Sequence, residues 1–191
     1  AYREQCLTVR RELATRGMTP PLQAQALALV SEAIRRELGF EAYPNQLMCA
    51  LVILKGQLAE MPTGEGKTLS IILAAGASAL SGCPTHVMTA NDYLVARDGA
   101  QAASVLKHLG LRVDWTQAGD AADTRRQQYA ADVTYSTARE IVFDYLKDLR
   151  VRARNRQHLS ERATRMGHSS ASQGTLLRGL SFAIVDKIMS I

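Results

Sequence analysis

The chain has 191 residues, 47% of them hydrophobic, 21% charged and 5% aromatic, which suits one globular domain with a sizeable core. The longest clean apolar run, residues 47–54, is far short of the ~20 residues that cross a bilayer, and the scattered Cys6, Cys49, Cys83, His86, His108, His158 and His168 match no metal-ligand spacing, disulfide framework or nucleophile–base triad. The formal charge of +5 is concentrated: residues 150–178 hold seven arginines and one acid, Glu161, so that stretch is +6 and the remainder −1.

In chain order, Ala1-Tyr2-Arg3-Glu4 leads into no apolar signal region, so a cytoplasmic protein is expected. Pro20-Pro21 opens a helix whose Leu22, Ala26, Leu29, Ala33 and Leu38 share a stripe, and Gly39 ends it. Pro44 starts a second helix that runs to about Lys55 and reads as buried. Residues 57–61 read as a short strand, 67–80 as a helix, 85–89 as a strand, and Asn91 or Asp92 caps a helix to about Leu109. A strand at 112–116, a helix at 121–130, a strand at 132–135, a helix at 137–149 and a strand at 182–186 complete the series. Strands alternating with helices predict an α/β fold, a parallel sheet with crossover helices. Residues 151–179 break this rhythm and end in a Gly/Ser-rich stretch, 167–174, that reads as a loop. The expected organisation is one domain: N-terminal helices over 1–55, an α/β core over 56–149, an Arg-rich stretch over 150–179 and a final strand segment over 180–191.

The sharpest local signal is Met61-Pro62-Thr63-Gly64-Glu65-Gly66-Lys67-Thr68, lying between an expected strand and an expected helix. Gly64 and Gly66 permit the turn that lets successive N–H groups converge on phosphate oxygens. The helix from Lys67 adds its positive end. Lys67 is then placed to meet the β- and γ-phosphates, and the Thr68 hydroxyl to meet Mg²⁺. The strict motif has Gly where Met61 stands; the shorter Thr-Gly-x-Gly-Lys-Thr form is typical of helicase-like motors.

The wider wording resembles the SecA family of protein-translocation ATPases. Ala59-Glu60-Met61 precedes the loop in that family's manner. His86-Val87-Met88-Thr89-Ala90-Asn91-Asp92-Tyr93-Leu94 with Arg97-Asp98 matches its next motif, and Asp132-Val133-Thr134-Tyr135-Ser136-Thr137, Glu140 and Phe143-Asp144-Tyr145-Leu146-Lys147-Asp148 match a third. The resemblance covers about residues 22–149 and 181–191. It implies a RecA-like P-loop domain that binds ATP or ADP, works on preproteins at a membrane channel, and lies in the cytoplasm or at the inner face of the cell membrane. Gln46 lies at the family's spacing for a residue that reads the N6/N7 edge of adenine; a polar residue opening a helix is the other reading. Phe40 and Tyr43 either flank the base or pack in the core. Related helicases touch nucleic acid through the Asn91 and Phe143 regions, but the residue choices here are the translocase's, and no specific nucleic-acid partner is expected.

The chain departs from the family after the last strand. The family continues with Asp-Glu, one apolar residue and Asp-Ser, the Asp ordering Mg²⁺ and the Glu activating water. Here Asp186 is followed by Lys187, Ile188, Met189 and Ser190. An ammonium cannot act as that carboxylate. It either pairs with Asp186 or crowds the Mg²⁺ site, so nucleotide binding with weakened or lost Mg²⁺ dependence and little or no hydrolysis is expected, with no catalytic residue assigned. A degenerate, non-catalytic nucleotide-binding or interaction module and, further off, a helicase domain are the alternatives. The resemblance also implies a returning strand beside the phosphate-loop strand. The 191 residues contain none, so an unpaired sheet edge, or one completed by another chain, is expected. The Arg-rich stretch 150–178 reads as a solvated basic insertion or as a surface for anionic lipid.

Overall fold

The computed structural model describes residues 2–163, 175–177 and 179–186. Three helices come first, α1 (Tyr2–Arg16), α2 (Pro20–Leu38) and α3 (Pro44–Leu54). Strands and helices then alternate: α4 (Lys67–Leu80), β1 (Thr85–Thr89), α5 (Asp92–Leu106) with a 3₁₀ turn (Lys107–Leu109), β2 (Val113–Trp115), α6 (Ala122–Tyr129), β3 (Val133–Thr137), α7 (Ala138–Ala163) and β4 (Phe182–Val185).

The four strands form one parallel sheet in the order β2-β3-β1-β4. Val87 on β1 stands opposite Tyr135 on one side and Ile184 on the other. All of β3 is buried, which suits a β-branched and aromatic run covered on both faces. One face carries Val87, Tyr135 and Ile184 against α4 and α5, with α1, α2 and α3 packed outside α4. The opposite face carries a smaller core of Tyr129, Ile141, Leu176 and Leu177 against Met88.

Helix α4 is the centre of the larger core, every residue from 69 to 80 being buried. A Cβ at its Gly76 would come within 2.7 Å of Leu106 and 2.9 Å of Val30. The glycine that weakens a free helix is therefore what lets α2 and α5 close on this one.

On the smaller face a buried ion cluster ties α6 to α7. Arg125 pairs with both Glu140 and Asp144, and Asp144 also accepts from the Tyr129 hydroxyl at 2.9 Å and Lys147 at 3.0 Å.

Several elements differ from the sequence expectation. Residues 57–61 form no strand, and Leu58 is 96% exposed. A strand needs a ladder partner, and among the described residues nothing pairs with the outer edge of β4. Helix α3 is not buried all round: Gln46 and Ala50 are, while Met48 faces outward. Helix α1, which charged residues hide in the sequence, anchors on Cys6, Val9 and Leu13. Helix α7 continues to Ala163 and absorbs the first part of the stretch read as irregular. The expected loop at 167–174 lies outside the described residues.

Candidate functional site

The four-residue link from Leu80 to Thr85 makes α4 run antiparallel to β1. The N-terminus of α4 therefore lies at the carboxyl edge of the sheet, the edge where Asp186 follows β4. In open parallel sheets ligands bind outside this edge, where successive crossovers leave in opposite directions. Here β1 is followed by a crossover towards β2 and β3 by one towards β4.

The turn into α4 is built by its two glycines. Gly64 has φ of 90° and Gly66 of 83°, both left-handed, and Gly66 is the residue on which α4 begins. The Gly66 carbonyl accepts the N–H groups of Leu69 and Ser70, and the Glu65 N–H reaches the Pro62 carbonyl. Among the described residues, the N–H groups of Gly64, Gly66, Lys67 and Thr68 have no acceptor. A run of acceptor-free donors at a helix start, with a lysine and a threonine at its first two positions, is a pattern suited to an anionic group. Thr63 and Glu65 are exposed on the turn, and Lys67 and Thr68 are half-buried. Met61, where the strict motif has glycine, is held by its sulfur, which accepts from the Ser70 hydroxyl at 3.3 Å.

Gln46 joins the helices to this loop. It is 3% exposed. Its Oε1 accepts the Tyr43 N–H at 3.1 Å, and its Nε2 donates to the Glu65 carbonyl at 3.0 Å. A Cβ on Gly66 would lie 2.3 Å from that Nε2, so Gly66 is required by packing as well as by its backbone angle. The bonds to Tyr43 and Glu65 use one amide hydrogen and one carbonyl lone pair of Gln46. Phe40 and Tyr43 are 46% and 66% exposed, which overturns the core-packing reading of these two side chains. Both lie in the link between α2 and α3, just before the turn that carries Gln46.

At the sheet edge, Asp186 is half-buried and its N–H donates to the Met88 carbonyl at 2.8 Å, extending the β4 ladder by one residue. Lys187 lies outside the described residues. A hydroxyl such as that of Thr68 and a carboxylate such as that of Asp186 are oxygen donors of the kind a hydrated Mg²⁺ takes. Sequence reading did not single out the Tyr135 hydroxyl, which is fully buried with no hydrogen-bond partner among the described residues. Burial first, then the Asp98 and Asp186 carboxylates, push this phenol's pKa upward, so it stays protonated. Its only sequence signal is an aromatic residue in a strand facing the same side as Asp186, two residues further along in register.

Comparison with known proteins agrees with this geometry. The family model described as "SecA DEAD-like domain" matches residues 1–191. The chain is 41% identical over 183 residues to "Protein translocase subunit SecA 2" of Nitrosospira multiformis, covering 96% of this chain and 28% of that protein. It is 48% identical over 124 residues to the subunit of the same name from Mycolicibacterium smegmatis, covering 65% of this chain and 16% of the relative. It is 35% identical over 190 residues to "Protein translocase subunit SecA" of Synechocystis. The chain thus spans 28% or less of the length of these relatives. Among solved structures, a hypothetical ATP-dependent RNA helicase from Sulfolobus tokodaii superposes with a TM-score of 0.50 at 20% identity, over 62% of this chain and 36% of that one, a likeness of fold alone. A parallel sheet with a glycine-built donor nest at its carboxyl edge, and a family match from the first residue to the last, lead to one conclusion: the chain belongs to the SecA DEAD-like domain family.

Proposed function

We propose that this chain binds ATP and ADP at the loop 63–68 as a motor-domain segment of a SecA-type protein translocase, with little or no hydrolysis of its own. The observation that carries the reading is the run of acceptor-free N–H groups at the start of α4, capped by Lys67 and Thr68. In this reading Thr63, Gly64, Glu65 and Gly66 surround the phosphates, Lys67 neutralises them and Gln46 reads the adenine edge beside Phe40 and Tyr43. Thr68 and Asp186 would hold Mg²⁺, which supplies charge neutralisation between phosphate oxygens when bound. Lys187 stands in the sequence where the family has its water-activating glutamate, and this supports weakened Mg²⁺ dependence and poor turnover. The same residue favours a second reading, a non-catalytic nucleotide-binding or interaction module.

By kinship with the named translocase subunits, the partners are unfolded preprotein and a membrane channel, and the place of action is the cytoplasmic face of the membrane. No described helix is long and apolar enough to cross a membrane. The basic stretch 150–178 supports contact with anionic lipid, and salt-sensitive sedimentation with phosphatidylglycerol vesicles tests it.

Isothermal titration with ATP and ADP, with and without Mg²⁺, tests the central claim. Saturable binding that Lys67→Ala removes is the expected result. Equal heats from the wild type and K67A would refute it. A phosphate-release assay separates the two readings of turnover: rapid release would overturn the hydrolysis-deficient assignment.

A further inference from the structure

Glu65 sits at the tip of the loop, between the two left-handed glycines, and carries a carboxylate where a polyphosphate is to bind. An anion at that point opposes an anionic ligand unless something holds it aside. The structure contains such a restraint. The Glu65 carboxylate accepts a hydrogen bond from Asn45 Nδ2 at 2.8 Å, across 20 residues of sequence. The other end of the Asn45 amide is fixed as well, because its Oδ1 accepts the Gln46 N–H at 2.9 Å. The amide orientation is therefore over-determined: a flipped amide would turn its oxygen towards the carboxylate and its NH₂ towards a donor.

Asn45 is also in the first turn of α3, whose positive end favours a carboxylate. The next residue, Gln46, binds the Glu65 backbone carbonyl. Two adjacent residues of one helical turn thus hold the side chain and the backbone of a single loop residue. This arrangement uses two helix starts for two anions: α4 faces the phosphate position, and α3 takes the carboxylate.

We propose that Asn45 is a positioning residue of the phosphate loop, keeping the Glu65 carboxylate docked on α3 and out of the space of the terminal phosphates. The proposal rests on the phosphate-loop reading above and adds a charge-placement role to a residue that touches no ligand. It depends on the number of phosphates, since a carboxylate released from α3 meets the outer phosphates more than the inner one.

The test compares AMP, ADP and ATP binding by titration for wild type, Asn45→Asp, Glu65→Gln, the double variant N45D/E65Q and K67A. Aspartate is favoured in a first helical turn, so N45D keeps α3 intact while repelling Glu65; equal melting temperatures of wild type and N45D would verify that. The expected result is about a tenfold loss of ATP affinity in N45D, a smaller loss for ADP and none for AMP, larger at low salt. Neutralising the carboxylate in N45D/E65Q restores ATP binding to the E65Q value. The proposal is overturned if N45D binds ATP as wild type does, if it loses all three nucleotides equally, or if E65Q fails to rescue it. A wild type that binds no nucleotide, or that binds no better than K67A, sinks the phosphate-loop reading itself and is distinguishable from these outcomes.

Discussion

The Asp148 carboxylate on α7 accepts the backbone N–H groups of both Leu176, at 2.7 Å, and Leu177, at 2.9 Å. All three residues are buried. The segment that leads into β4 is therefore clamped to the middle of α7. The clamp is reinforced by Leu176 and Leu177 packing with Tyr129 and Ile141, and by a 3.0 Å contact between His86 Nε2 and the Gly179 carbonyl.

Replacing Asp148 with Ala leaves two buried donors without an acceptor, and a loss of about 2–4 kcal/mol is expected. Asp148→Asn keeps one acceptor oxygen and is expected to lose about half as much. Urea denaturation of both variants measures the difference. A D148A variant as stable as the wild type would show that the clamp contributes nothing.

Gly64 and Gly66 have the same left-handed backbone but different surroundings. A Cβ on Gly64 meets open space, whereas one on Gly66 collides with Gln46. Gly64→Ala is expected to cost only the left-handed conformation, about 1–2 kcal/mol. Gly66→Ala must in addition displace Gln46 from the Glu65 carbonyl, so it is expected to be the more destabilised and to lose nucleotide binding more severely. Thermal melts and titration with ADP check both orders.

The outer edge of β4 has no strand beside it among the described residues, and Val185 on it is 50% exposed. Such an edge templates pairing with another chain. Concentration-dependent self-association is expected, and Ala183→Lys, which adds a charge on the edge, is expected to reduce it. Size-exclusion chromatography with light scattering reads the mass. A wild type that stays monomeric across a hundredfold range of concentration, on the order used for such assays, would argue against an open edge.

Glu32 on α2 is hydrogen-bonded by Arg35 and then Arg36, and these hold its carboxyl down to about 2. Because its folded pKa lies below the unfolded value of about 4.3, its contribution is present above pH ~4.3 and is lost as pH falls towards 2. Both partners are exposed, so the effect is small. Melting curves of wild type and Glu32→Gln are expected to differ at pH 5 and to converge at pH 2. A gap that widens on acidification would contradict the sign.

The local features legible in the sequence are those written in consecutive residues. The Thr63–Thr68 wording, the helix starts at Pro20, Pro44 and Asn91, and the 3.6-residue stripe of α2 follow from backbone chemistry and side-chain spacing that need no distant partner. These sufficed for the α/β class and for the donor nest on α4. Whatever depends on residues far apart in the chain was decided by tertiary structure. Residues 57–61, Gln57-Leu58-Ala59-Glu60-Met61, read as a strand from their place before the glycine turn, but they contain no β-branched or aromatic residue and have no neighbour to complete a ladder, so they stay irregular. Helix α1 has few apolar residues and exists because α2 covers its Cys6, Val9 and Leu13. The arginine-rich run continues α7 to Ala163, since arginine is a good helix former and a helix already begun at Ala138 is cheaply extended. The links from Asn45 and Gln46 to Glu65, and from Asp148 to Leu176, join residues 19 to 28 positions apart, and no local periodicity encodes which donor will meet which acceptor.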